Sequence, residues 1–128
     1  MKKIVLSLLT AGFFAFGAIS ASAQTAPKSV IHVVTVAFKA DAKPEQIQAA
    51  LDGVKKLPAA YKGITRVWTK AVKVQNPEGA KVKKTHVIVM EFADQAALKA
   101  YTDHPAQLEW YKLYTPIREV STTFDITN

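Results

Sequence analysis

From Val30 onward the spacing of apolar residues divides the chain into alternating elements. Val30 to Phe38 is a β-branched, apolar run and predicts a strand. Lys39 to Lys43 is a loop. Ile47, Ala50, Leu51, Val54 and Leu57 then recur every three or four residues, which is the stripe of an amphipathic helix. Pro44 suits the first position of that helix, Glu45 suits its first turn, and Pro58 ends it. A second strand is predicted from Ile64 to Val74, a turn or long hairpin loop from Gln75 to Lys84, and a third strand from Thr85 to Phe92. Asp94 reads as the N-cap of a helix from Gln95 to Asp103, with Ala97, Leu98 and Tyr101 on one face. Pro105 begins a further short helix that runs to about Tyr114 and is stopped by Pro116. Arg118 to Ile126 alternates through Val120, Thr122, Phe124 and Ile126, as a last strand does.

The order strand, helix, strand, strand, helix, strand predicts an α+β chain. It is the βαββαβ pattern of a ferredoxin-like sandwich, an antiparallel four-stranded sheet with both helices on one face. Such a sheet has a second face, and here that face is not polar. His32, Val34, Val36 and Phe38 share one side of the first strand, and Ile31, Val33, Thr35 and Ala37 share the other. In the third strand His86, Ile88, Met90 and Phe92 alternate with Thr85, Val87, Val89 and Glu91. Both sides carry Val or Ile, so both need cover. The helices cover one. The expectation for the other is a second copy, packed sheet against sheet as a two-fold homodimer.

The start of the chain has a different character. Met1-Lys2-Lys3 precedes an almost unbroken apolar run from Ile4 to Ile19, and Ala21-Ser22-Ala23 is a small-residue cleavage site. This predicts a secretory signal peptide over 1–23, cut after Ala23 and leaving no membrane attachment. A mature tail (24–29) and one domain (30–127) follow. The run is short for a spanning helix, and no cysteine follows it to carry a lipid. The chain has no cysteine at all, so an exported product holds together without disulfides. A bacterial periplasm fits these features. The net charge is +7 before Lys2 and Lys3 are removed. Lys70, Lys73, Lys81, Lys83 and Lys84 gather on the hairpin, opposed only by Glu78, and read as a solvated loop. Aromatic and basic residues do not interleave on a platform, so nucleic acid is not an expected partner.

The mature chain resembles the stress-responsive A/B barrel domains of the dimeric α/β barrel group. The resemblance rests on V-I-H-V-V from Val30, K-P-E-Q-I from Lys43, F-A-D-Q-A-A-L-K-A-Y-T-D-H-P-A-Q from Phe92 to Gln107, and R-E-V-S-T-T-F-D-I from Arg118. It implies a homodimeric barrel with a cleft between sheet and helices in each subunit. One plant branch of the family, of the olivetolic acid cyclase type, uses a tyrosine and a histidine to close a polyketide by an aldol step. The resemblance puts the tyrosine at Tyr101 and the histidine at Gln107, where a neutral amide cannot take a proton as imidazole does.

The candidate chemistry is therefore sparse. Tyr101 projects from a helix end and offers a phenol to a substrate carbonyl, or else is a core tyrosine with its hydroxyl at the rim. His104, between two helices, is an acid/base candidate or a group satisfying freed backbone at the helix end. His32 and His86 lie on the helix-covered side of central strands. If the second helix spans the sheet, His86 approaches Tyr101 and His104, and His32 lies nearer the opposite end. The catalytic candidates are thus Tyr101, His104 and His86. The expected ligand-binding set is His32, Val34, Ile64, Ile88, Tyr101, His104, Gln107 and Trp110, around a small, largely apolar ligand. Trp68, Trp110, Tyr111 and Tyr114 line such a pocket or fill the core and dimer interface. No histidine or carboxylate pair has a metal-ligand spacing, so neither metal nor cofactor is expected. Gly-rich phosphate loops and G-x-S-x-G elbows are absent. The expected function is small-molecule binding in the cleft. The alternative is a cofactor-free cyclase, isomerase or oxygenase that uses Tyr101 with His104 or His86.

Overall fold

The computed structural model describes residues 27–73 and 79–127. The expected signal peptide, the start of the tail and the middle of the hairpin loop lie outside them. The order is β1 (Val30–Phe38), α1 (Pro44–Lys55), α2 (Leu57–Ala60), β2 (Ile64–Ala71), β3 (His86–Phe92), α3 (Gln95–Tyr101), α4 (Pro105–Tyr114) and β4 (Arg118–Ile126), with a 3₁₀ turn at Thr115–Ile117 before β4. The four strands form one antiparallel sheet in the order β2-β3-β1-β4. This is the ferredoxin-like α+β arrangement, and both helical crossovers pack on one face.

Local chemistry accounts for the helix ends. The Gln46 side chain accepts from the Lys43 backbone N–H at 2.9 Å, and Pro44 occupies the first position of α1. Pro58 does not end the helical region outright. It sits inside the first turn of α2, where its missing N–H costs nothing. Asp94 caps α3 by accepting from the Ala97 N–H at 2.8 Å. The second helical stretch is broken: α3 ends at Tyr101, short of Asp103, and a new helix begins at Pro105.

The core lies between the helices and one face of the sheet. Val34, Val36, Ile88, Met90 and Phe92 pack there against Ala50, Val54, Leu57, Trp110 and Tyr114. Trp110 ties the two long helices together, its Nε1–H donating to the Ala50 carbonyl at 2.9 Å.

The pairing register fixes what the other face carries. Opposite the helices stand Ile31 and Val33 of β1, Val87 and Val89 of β3, Trp68 of β2, and Val120, Phe124 and Ile126 of β4. No helix covers them, and Phe124 and Ile126 are 49% and 57% exposed. β4 is reversed from the usual half-buried strand. Its apolar residues face away from the helices, while Ser121, Thr123 and Asp125 stand on the helix side, opposite Val36, Val34 and His32.

Candidate functional site

The polar side of β4 forms part of the floor of a cleft. It lies between β1 and β4 below and α3 and α4 above, with a volume of about 150 Å³, and is lined by His32, Val34, Met90, Tyr101, Gln107, Trp110, Arg118, Ser121 and Thr123 among others. An engineered apolar cavity of roughly this volume holds one benzene, so the space suits a molecule with a single ring.

Tyr101 reaches the cleft from the last residue of α3. Its ring packs against Phe92, with centroids 5.3 Å apart, and stacks over Tyr61 at 6.0 Å. Tyr61 is held in turn by donating from its hydroxyl to the Ala97 carbonyl at 2.8 Å. The Tyr101 hydroxyl is sealed from solvent and has no hydrogen-bond partner among the described residues. Burial pushes its pKa well above the ordinary tyrosine value, and nearby Tyr111 adds to the shift. The group is therefore a neutral donor at any working pH.

His32 enters from β1. Its Nδ1 lies 2.6 Å from Asp125 Oδ1 on the neighbouring strand. An ionised carboxylate only accepts, so Nδ1 carries a proton, and in the neutral imidazole Nε2 is then the acceptor. At the far end of the cleft Tyr114 stacks on Trp110, with centroids 4.6 Å apart, and the Arg118 guanidinium sits 5.5 Å above the Tyr114 ring. The Tyr114 hydroxyl is buried and has no close hydrogen-bond partner among the described residues. Burial raises its pKa, and Ser121 and Arg118 stand close enough to oppose that rise.

Several expected site residues lie elsewhere. His86 is at the opposite end of the sheet from Tyr101. It pairs with Val36, packs edge-on to Phe38 at 5.3 Å, and lies 2.9 Å through Nδ1 from the Thr85 hydroxyl. The cause is the length of α3. Seven helical residues rise only about 10 Å, so Tyr101 stops near Phe92 and Met90 instead of crossing to the start of β3. Met90 pairs with His32, which places His32 beside Tyr101, and His86 lies four residues, about 13 Å, further along β3. The expected positions of the two histidines are thus exchanged.

His104 does not line the cleft either. It is the N-cap of α4, its Nδ1 accepting from the Ala106 N–H at 3.1 Å, and its ring packs on Tyr61 with centroids 4.4 Å apart. Ile64 and Ile88 are 2% and 1% exposed, closed into the core away from the cleft. The sheet order explains Ile64, because β2 is the edge strand furthest from β4. His32, Val34, Tyr101, Gln107 and Trp110 do converge on the cleft. Arg118, Ser121, Thr123 and Asp125 were not anticipated. The signal for them was available, because the apolar phase of β4 assigns every intervening polar residue to one face.

A larger apolar groove of about 470 Å³ runs over the outer surface of α1, α2 and α4, along Leu57, Ala60, Trp110 and Leu113. Its rim charges include Lys112, which pairs with Glu109 at 2.6 Å. Among the described residues no group of three histidine, aspartate or glutamate side chains could hold a metal ion.

A Dabb family protein with a ferredoxin-like fold from Mesorhizobium loti is 25% identical, with a TM-score of 0.61 over 78% of this chain and 96% of that one. The hydroxynitrile lyase of Passiflora edulis is 17% identical, with a TM-score of 0.68 over 80% and 95%. A dimeric ferredoxin-like protein of unknown function from Thermobifida fusca is 17% identical, with a TM-score of 0.63 over 80% and 92%. Among curated proteins none matches the chain. The family model for the stress-responsive A/B barrel domain matches residues 30–128, and the chain belongs to that family.

Proposed function

We propose that this protein is an exported homodimer that binds a small, single-ring molecule in the cleft of each subunit. The observation that carries the reading is the Tyr101 hydroxyl, a buried donor with no partner, on the wall of a cavity the size of one ring. Unpartnered buried donors are rare in folded proteins, because each costs desolvation that nothing returns. An acceptor on a ligand would meet a hydroxyl that no other described residue uses. His32, Gln107 and Thr123 make the wall more polar than the sequence suggests, so the ligand has polar ends on a flat body.

The apolar outer face of the sheet supports the homodimer, and the family assignment agrees with it. The apolar start of the chain and its Ala21-Ser22-Ala23 site support export to a periplasm. A mature product beginning at Gln24, found by mass spectrometry in a periplasmic fraction, is the expected result for export.

The cleft reading is tested with 4-hydroxybenzamide, a neutral single-ring probe, in an NMR titration. Saturable shifts at the Thr123 and Gln107 backbone amides are expected, with affinity reduced in Tyr101→Phe. Neither saturation nor shifts with this probe or with its carboxylate isostere 4-hydroxybenzoate, or shifts confined to the outer helical groove, would overturn it.

One observation favours a second reading at the same place. The His32–Asp125 pair leaves His32 Nε2 as a base candidate beside a neutral phenol donor, which is an acid/base arrangement. The enzyme alternative therefore uses Tyr101 with His32, in place of His104 or His86. Deuterium exchange next to the carbonyl of a bound ketone, abolished in His32→Gln, is its expected signature.

A further inference from the structure

The cleft has chemically distinct ends. At one end His32 engages Asp125 of the neighbouring strand. Arg118 is the cleft's one permanent cation and forms no ion pair with a carboxylate among the described residues. The guanidinium is instead held over the Tyr114 ring, whose buried hydroxyl has no close hydrogen-bond partner among the described residues but has Arg118 and Ser121 beside it, and Ser121 lines the cleft on the same strand. This end thus gathers one fork of N–H donors and two hydroxyls, and no anion answers them. Along β4, Ser121 and Asp125 are four residues apart, about 13 Å, so the cationic end and the His32–Tyr101 end lie at opposite limits of one narrow space.

We propose that the cleft selects a small aromatic carboxylate, with the carboxylate at Arg118, Tyr114 and Ser121 and the opposite edge of the ring at Tyr101 and His32. A planar guanidinium matches a carboxylate through two parallel N–H···O bonds, and a ring already lying under it reduces the ordering cost of that geometry. Trp110, stacked on Tyr114, supplies a flat apolar wall for the body of the ligand. The proposal rests on the cleft being a ligand site and adds the charge of what enters it.

The test compares 4-hydroxybenzoate with its neutral isostere 4-hydroxybenzamide by calorimetry on the whole mature protein. The wild type should bind the carboxylate roughly tenfold to a hundredfold more tightly, the range a charge-assisted hydrogen bond supplies. Arg118→Gln should remove that preference by weakening carboxylate binding far more than amide binding, and Arg118→Lys should restore part of it. Equal affinity for the two probes in the wild type would overturn the anion selectivity while leaving the cleft reading intact. Inorganic phosphate binding as tightly as 4-hydroxybenzoate would overturn the carboxylate assignment in favour of a general anion site. Binding of neither probe would overturn both readings together.

Discussion

Removing the Tyr101 hydroxyl should make the free protein more stable. Solvent does not reach the oxygen, no described group bonds it, and the ring that carries it is packed on Phe92 and Tyr61. A buried hydroxyl left without a partner costs about 1–3 kcal/mol. Tyr101→Phe keeps the ring and its contacts and removes that cost, leaving only a small void. A gain of about 1 kcal/mol is the low end of the range, and for a domain of this size it raises Tm by roughly 4–8 °C. The assay is calorimetric melting of ligand-free protein. Burial keeps the phenol neutral far above neutral pH, so the gain should be the same at pH 5 and pH 8. A Tm that is unchanged or lower in Tyr101→Phe would refute the reasoning, because it would mean the hydroxyl is hydrogen-bonded in the free protein. With a probe bound the comparison should reverse, since only the wild type offers the donor.

Two further outcomes follow from the same geometry. Burial holds the His86 pKa below its ordinary value of 6.5, so below that pH the unfolded chain binds the extra proton more readily than the folded one. Stability should therefore fall as pH drops from 6.5 through the lower folded value, and melting curves between pH 7.5 and 5 should show a smaller decline in His86→Gln; equal declines would refute this account. Phe124 is half exposed on the uncovered face, on the edge strand β4, and Phe124→Glu should convert the proposed homodimer into a monomer in light scattering while leaving the circular dichroism of the subunit intact; a variant that remains dimeric would mean the contact lies elsewhere.

The elements of this fold were legible because each has a local cause. The apolar run of β1, the stripe of α1, the Asp94 cap and Pro105 at a first helical position act within a few residues of themselves. The two-faced strands also announced an uncovered sheet face, since alternation assigns sides whatever the partner. The site was harder to read. Tyr101, Trp110 and His32 were singled out by residue type, Val34 by strand alternation and Gln107 by the family resemblance, yet the histidine expected beside Tyr101 was His86, and the one found there is His32. That error has one source, the expectation that the helix from Gln95 finishes at the end of the sheet where β3 starts, when α3 stops at Tyr101, near the Phe92 end. His104 offered two readings, acid/base chemistry or satisfying freed backbone at a helix end, and its backbone position made it a cap.

What the sequence alone determined is therefore the set of elements, their order and the sides of each strand, because propensity, capping and period are short-range properties. What only the tertiary structure decided is which side chains share a space. The His32–Asp125 pair joins residues on strands far apart in sequence, set by the β1–β4 register. The unanswered Arg118, Tyr101 and Tyr114 groups exist only once α3 and α4 close over β4. Register and helix length are fixed by packing between distant segments, and no local window of the chain contains them.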